Sequence, residues 1–279
     1  MTKETNAQYH ADLTHVGSTM LKTYRKSPAR FHGLYVAGTI EPDPPAPAMV
    51  LGSLTHCLLL EPETFEHVFL VAKGCKVRRG KEGERIKAIA ETEGKTPVFQ
   101  AQLDHADAMA RAVRANPVAA KLLRAEGAVV EQPIRWQDDS GLKLKCKPDL
   151  LIDDGDFRRE LGLDCVLCCD LKTSETPRPE QFWWAAQKWG SLPQAALYVD
   201  GCRSVRDDDR PVRFVFIVVG KEAPFDVYTY YVESSDLEDA RTANVDTICR
   251  LARSLETGVW MAPGQDELLP LQPPSYRRR

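Results

Sequence analysis

Apolar positions recur at helical spacing through the first part of the chain and at strand spacing through much of the second. Met20, Leu21 and Tyr24 make a stripe behind Ser18, a residue able to cap a helix, and Ser27-Pro28 interrupts it. Glu41-Pro42-Asp43-Pro44-Pro45-Ala46-Pro47 reads as a linker, because proline suits neither a helix interior nor a central strand. Met49, Leu51, Leu54, Leu58 and Leu59 predict a second helix that stops at Glu61-Pro62, with His56 inside it. Lys73 to Lys87, with Lys76, Arg78, Arg79, Lys81 and Arg85, reads as a basic mobile loop running into a helix. From Gln102 to Leu123 one helix is expected, with Leu103, Ala106, Met109, Ala110 and Val113 on one face.

The period then shortens. Val129 to Trp136 leads into a hairpin-like turn at Asp138-Asp139-Ser140-Gly141, and Leu142 to Ile152 returns. Cys165 to Thr173 is the third strand. Pro179 to Trp189 reads as a helix that continues, after Gly190 and Pro193, through Gln194 to Tyr198. Val212 to Val219 and Asp226 to Val232 are strands, and Asp236 to Leu255 is a final helix. Short connections make the first three strands an antiparallel meander, and a helix must cross over before the next strand joins. The expected fold class is α/β, a mixed central sheet flanked by helices. Residues 1–48 read as an N-terminal helix and linker, 49–262 as the main domain, and 263–279 as a flexible tail.

Composition alters little. A chain of 279 residues, 43% hydrophobic and 28% charged, can bury a sizeable core. A net charge of −3 means that any nucleic-acid surface must be a local basic patch. No apolar run reaches membrane-spanning length, and Met1-Thr2-Lys3-Glu4 lacks the apolar stretch of a secretory signal, so a cytoplasmic protein without membrane contact is expected. Eight cysteines then read as reduced thiols. Cys165, Cys168 and Cys169 invite a metal reading, but two of them are adjacent and no second paired-cysteine motif follows. Buried thiols are expected instead.

Two charged clusters carry the chemistry. Lys147-Pro148-Asp149 precedes an apolar run, and Asp170-Leu171-Lys172 ends another. Charges at the ends of buried strands are costly unless compensated. A divalent cation held by both carboxylates, with the ammonium beside it, is the simplest compensation, and it is what metal-assisted phosphodiester hydrolysis requires. Lys172 follows Asp170 by two positions, so both project from one strand face.

These residues resemble a known signature. Asp149 with Asp170-Leu171-Lys172 is similar to the motif of the PD-(D/E)xK nucleases. His56, in the run from Leu51 to Pro62, resembles the helical histidine of the RecB-like branch, and Gln194 with Tyr198 resembles its Q-x-x-x-Y motif. Leu21-Lys22, Ser27-Pro28-Ala29-Arg30-Phe31 and Glu131 to Trp136 resemble the C-terminal nuclease of exonuclease VIII (RecE) and its phage relatives. The resemblance runs from about Ser18 to Trp260.

It implies a restriction-endonuclease-like core and a metal site of His56, Asp149, Asp170 and the Leu171 carbonyl. It also implies a catalytic set of Asp149, Asp170, Lys172, Gln194 and Tyr198. The implied cofactor is Mg2+, with Mn2+ tolerated. The implied activity is 5′ to 3′ exonuclease action on linear double-stranded DNA, leaving 5′-phosphates, by a ring-forming homo-oligomer that feeds single strands to an annealing protein in phage-type recombination.

Each residue also has a plainer reading. Asp149 could end a strand in a turn, Asp170 and Lys172 could be a surface pair, and His56 could be a core histidine. Gln194 and Tyr198 could pack at the core edge. Glu131 either reaches the site from the first strand or flanks it. Phe182, Trp183, Trp184 and Trp189 could stack on bases, but at helical spacing Phe182 and at least one tryptophan are expected to pack in the core. Lys76 to Lys87 could track phosphates or be solvated. Pro193 directly before Gln194 departs from the family pattern and suggests a late helix start. Two competing functions stand: a RecB-like repair nuclease for single strands or flaps, and a catalytically silent DNA-binding protein.

Overall fold

In the computed structural model, which describes residues 4–72, 80–153 and 164–270, the chain opens with a short helix that the apolar pattern does not signal. This is α1 (Asn6–Ala11), closed by a capping box between Thr5 and Gln8. Next come α2 (Ser18–Lys26), α3 (Pro28–Phe31) and α4 (Pro47–Leu60). Gly17, not Ser18, occupies the N-cap of α2, so Ser18 is its first helical residue. Pro47 ends the linker as the first residue of α4, where a missing amide hydrogen is harmless.

A small lobe follows. It comprises α5 (Phe65–Val68), β1 (Phe69–Ala72), α6 (Lys81–Thr92) and β2 (Thr96–Phe99), with β1 and β2 parallel. Of the basic stretch, Lys76, Arg78 and Arg79 lie outside the described residues, while Lys81 and Arg85 sit on α6. The single helix expected from Gln102 to Leu123 is two, α7 (Gln100–Ala115) and α8 (Pro117–Leu123). Pro117 cannot continue the hydrogen-bond ladder, and the Asn116 carboxamide caps the new start through the amides of Val118 and Ala119.

Strands β3 (Val129–Val130), β4 (Ile134–Gln137), β5 (Lys143–Cys146) and β6 (Leu150–Ile152) build the hairpin. Then come β7 (Val166–Ser174), α9 (Pro179–Trp189), α10 (Ser191–Ser204), β8 (Val212–Gly220), β9 (Val227–Tyr231) and α11 (Ser234–Thr257). The central sheet has the order β3-β6-β7-β8-β9, with β7 parallel to β8 and every other pair antiparallel. The meander, the helical crossover and the mixed sheet therefore agree with expectation.

The two long strands expected for the hairpin are each broken. Pro133 and Pro148 remove amide donors on the two arms, and Glu131 takes a left-handed backbone with φ 55°. As a result β4 and β5 pair apart from the central sheet, and one backbone bond, Glu131 N–H to the Asp149 carbonyl at 3.2 Å, spans the break. The kink is where the chemistry collects.

Alternation along β7 and β8 fills two cores. Val166, Cys168, Phe214, Phe216 and Val218 face α10, α11 and α2. Leu167, Cys169, Val215, Ile217 and Val219 face α7 and α8 through Met109, Val113, Ala119 and Leu122. Phe214 and Phe216 are fully buried, each contributing roughly 2–3 kcal/mol. By the same alternation Asp170 and Lys172 point to the α10 side, while Leu171 packs with the second core. Gly190, in the left-handed conformation at φ 74°, turns α9 into α10. That helix begins before Pro193, which lies in its first turn, so the expected late start does not occur. Among the described residues no helix is long and apolar enough to cross a membrane.

Candidate active site

Three elements converge at the kink. His56 comes from α4, Glu131 from the left-handed residue after β3, and Asp149 from the break between β5 and β6. The His56 Nε2 atom lies 3.0 Å from Glu131 Oε1 and 3.2 Å from Asp149 Oδ1. The three ligand atoms lie within 4.8 Å of one another. Asp149 is oriented from behind, since its Oδ2 accepts the Leu171 backbone N–H at 2.7 Å. Glu131 is held likewise, by an ion pair between its Oε2 and the buried Lys147 ammonium. Lys147 also donates to Asn6 of α1 and lies 5.3 Å from the Tyr9 ring centroid.

A second set stands on β7 and α10. Lys172 Nζ lies 2.6 Å from Asp170 Oδ2 and donates to Gln194 Oε1 at 3.1 Å. Gln194 Nε2 donates to Asp170 Oδ1 at 3.0 Å. The carboxamide thereby fixes both charged groups. Asp170 Oδ2 is buried, and although the ammonium is close, its direction is not that of a hydrogen bond, so this oxygen has no hydrogen-bond donor. A buried carboxylate oxygen in that state is costly in the absence of a cation.

The electrostatics separate the two acids. Burial, the Asp149 charge nearby and only partial compensation by Lys172 push the Asp170 carboxyl up to about 6. Burial acts the same way on Asp149, but the His56 charge, Lys172 and the Leu171 amide outweigh it and hold that carboxyl below its ordinary value. Burial opposes protonation of His56, yet Asp149 and Glu131 raise its pKa well above the usual imidazole range. Burial and the Asp170 charge keep the Tyr198 phenol neutral, well above its ordinary value. Burial and the Lys172 charge lower Lys22, which places a second ammonium near the same acid–lysine pair.

The donor set fits a hard divalent cation. One imidazole nitrogen and two carboxylate oxygens converge, and adjacent ligands of an octahedral ion at about 2.1 Å stand about 3.0 Å apart. His56 and Asp149 belong to this convergent group, as their motifs suggested. Asp170, read from the sequence as a direct ligand, is not in it; its carboxylate turns to Lys172 and Gln194 instead. Glu131 occupies the third place, which decides its open reading in favour of reaching the site. Tyr198 lies buried one turn after Gln194, edge-on to Phe214.

Sequence reasoning missed the roles of Lys147, Asn6 and Lys22. For Glu131 and its neighbour Lys147 a signal existed. The hairpin register, Ile134 opposite Cys146 and Val129 opposite Leu151, sets Glu131 opposite Asp149 when counted from the turn. The cysteines expected as apolar thiols are packed that way: Cys146, Cys168, Cys169 and Cys202 are buried, and burial pushes the Cys168 and Cys146 thiols up. On α9, Phe182 belongs to the core as expected, whereas Trp183, Trp184 and Trp189 are all exposed, so none of the three tryptophans is packed in the core.

Residues 17–265 match a family described as a PDDEXK-like domain of unknown function (DUF3799). The chain belongs to that family. The PDDEXK-like assignment agrees with the resemblance carried by Asp149, Asp170 and Lys172 and with the mixed sheet they stand on. A crystal structure from Eubacterium rectale, described as a "putative exonuclease", superposes with a TM-score of 0.65 at 14% identity, covering 100% of this chain and 98% of that one. At that identity the likeness speaks for the PDDEXK-like fold alone. No curated protein matches the sequence.

Proposed function

We propose that this PDDEXK-like protein is a divalent-metal-dependent exodeoxyribonuclease that hydrolyses linear double-stranded DNA from the 5′ end. The observation that carries the reading is the junction of two sets: a convergent His56, Glu131 and Asp149, and, alongside, a buried Asp170 paired with Lys172.

A divalent cation, Mg2+ or Mn2+, supplies Lewis-acid polarisation of the phosphodiester and acidifies water when bound. His56, Glu131 and Asp149 would hold it, with Asp170 close by. Lys172 acts as an ammonium, because it donates to Gln194 and balances Asp170. Its remaining N–H donors are free to meet a phosphate oxygen where charge builds in the transition state. Gln194 keeps acid and ammonium aligned as that charge appears. Tyr198 stays protonated, because burial and the Asp170 charge disfavour a phenolate there.

The site's acidity suits this division. One carboxylate stays ionised and a second is raised to about 6, so a bound cation would favour having both negative charges together. A silent scaffold would have no use for so costly a cluster. The resemblance to exonuclease VIII extends the proposal to 5′-phosphate products, a ring of subunits, an annealing partner and a part in recombination.

The test uses end-labelled linear duplex, closed circles and single strands, each with and without Mg2+. Early release of a 5′ label, with progressive shortening of the 3′-labelled strand of linear duplex and circles untouched, is expected. Preferred digestion of single strands or flaps would transfer the protein to the RecB-like repair reading.

A further inference from the structure

The chain as a whole is acidic, yet one surface beside the site is basic and aromatic. Lys22, Arg25 and Lys26 recur at i, i+3 and i+4 on α2 and so share a face. Lys22 and Arg25 line a shallow groove with Ser18, Gly190, Pro193 and Gln194. Gln194 is the residue that bonds both Asp170 and Lys172, so the groove and the acid–lysine pair share a wall.

At the groove's edge stands Trp189, 62% exposed at the α9–α10 corner. Lys22 Nζ lies 5.7 Å and Lys188 Nζ 5.2 Å from its ring centroid. Among the described residues Lys22, Arg25, Lys26 and Lys188 form no salt bridge. Arg25 instead donates to Thr247 and Asn244, which fixes its guanidinium in place. An exposed ring flanked by two ammoniums, with an ordered guanidinium alongside, matches a partner that is flat and aromatic at one point and anionic at regular intervals. That partner is a nucleotide chain. It must be unpaired there, because a base within a duplex stack presents no free face to a side chain.

We propose that the surface formed by α2 and the α9–α10 corner seats an unpaired stretch of nucleic-acid strand, one base stacking on Trp189 and the neighbouring phosphates lying on Lys22 and Arg25. The seat rests on the nuclease reading for its purpose, since it would lead the strand toward Lys172. Its existence is tested without catalysis.

Anisotropy of a fluorescent oligo-dT is measured in EDTA, so that no hydrolysis intervenes. Wild-type protein should bind and its tryptophan emission should be quenched. Trp189→Ala should weaken binding about tenfold and Trp189→Phe much less, in line with base–aromatic stacking. Replacing both Lys22 and Arg25 by glutamine should lower the slope of log affinity against log salt by about 1.4, at about 0.7 per phosphate contact. Unchanged binding by Trp189→Ala, or an unchanged salt slope in the double variant, overturns the proposal and assigns the patch to a protein partner. Absence of any oligo-dT binding by wild type also overturns it. Digestion of linear duplex in Mg2+ is scored separately, so loss of one result leaves the other standing.

Discussion

The two halves of the site are built in opposite ways. Asp170 and Lys172 stand on a regular nine-residue strand paired with β8 along its whole length and with β6 as far as Cys169, and Gln194 reaches them from a regular helix. His56, Glu131 and Asp149 gather where regular structure fails, at a hairpin broken by two prolines and a left-handed glutamate. The broken half is closed on its Glu131–Lys147 side, while its His56 and Asp149 side chains are 22% and 14% exposed. Lys147 is 7% exposed and Glu131 4%, with α1 packed over them, whereas the Lys172 side chain is 27% exposed and bonds Gln194, which lines the basic groove. The lesson is a division of labour. Irregular backbone gathers His56, Glu131 and Asp149 at one point, and a regular strand presents the charge proposed to meet substrate.

The largest effect should come from the open half. Lys172→Ala should reduce digestion of linear duplex by about 10³-fold or more while the circular dichroism melt stays near wild type, as expected for loss of transition-state charge stabilisation. Retained activity would separate Lys172 from the chemistry.

The closed half should respond in stability as well as in metal affinity. Glu131→Gln removes a ligand and strands the buried Lys147, so unfolding free energy should fall by about 3 kcal/mol and Mn2+ affinity by about tenfold or more. Adding Lys147→Met should restore much of the stability without restoring metal binding. Recovery of both together would mean that Glu131 is only a structural counter-ion.

Asp170 gives the next effect, one of pH. Its folded pKa is raised from 3.8 to about 6, so the protonated acid is the form the metal-free fold prefers. That preference is fully present below about pH 4 and is lost as pH rises through about 6, on the order of 3 kcal/mol by linkage. In EDTA, Asp170→Asn should therefore gain stability relative to wild type between pH 5 and 7, in chemical denaturation. Wild type with Mg2+ should narrow that gap above pH 6. A gap independent of pH would contradict the burial of a charged carboxylate.

The smallest effect belongs to α1. Asn6→Ala removes one hydrogen bond to Lys147 and should cost about 1 kcal/mol with little change in activity. A large activity loss would extend the site to α1.

This contrast also explains what the sequence made legible. The regular half was readable because strand alternation alone puts Asp170 and Lys172 on one face, and helical spacing puts Gln194 and Tyr198 on another. The sheet order was readable for the same reason, from period and connection length. The broken half was legible residue by residue, through His56 and Asp149, but its architecture was not. A left-handed Glu131 has no local propensity signature, and it took the register counted from the turn to pair it with Asp149. The split at Asn116-Pro117 was written in plain proline chemistry and was overrun by a strong apolar stripe. The strands β1 and β2, at four residues each, and the six-residue helix α1 are too short to establish a period.

The central claim, that His56, Glu131 and Asp149 hold a cation beside the buried Asp170, is tested most directly by calorimetric titration of Mn2+ into wild type, Asp149→Asn and Asp170→Asn. The account predicts stoichiometric binding by wild type, loss of binding in Asp149→Asn, and clear weakening in Asp170→Asn, with all three proteins folded. Equal binding by all three, or none by wild type, would contradict it.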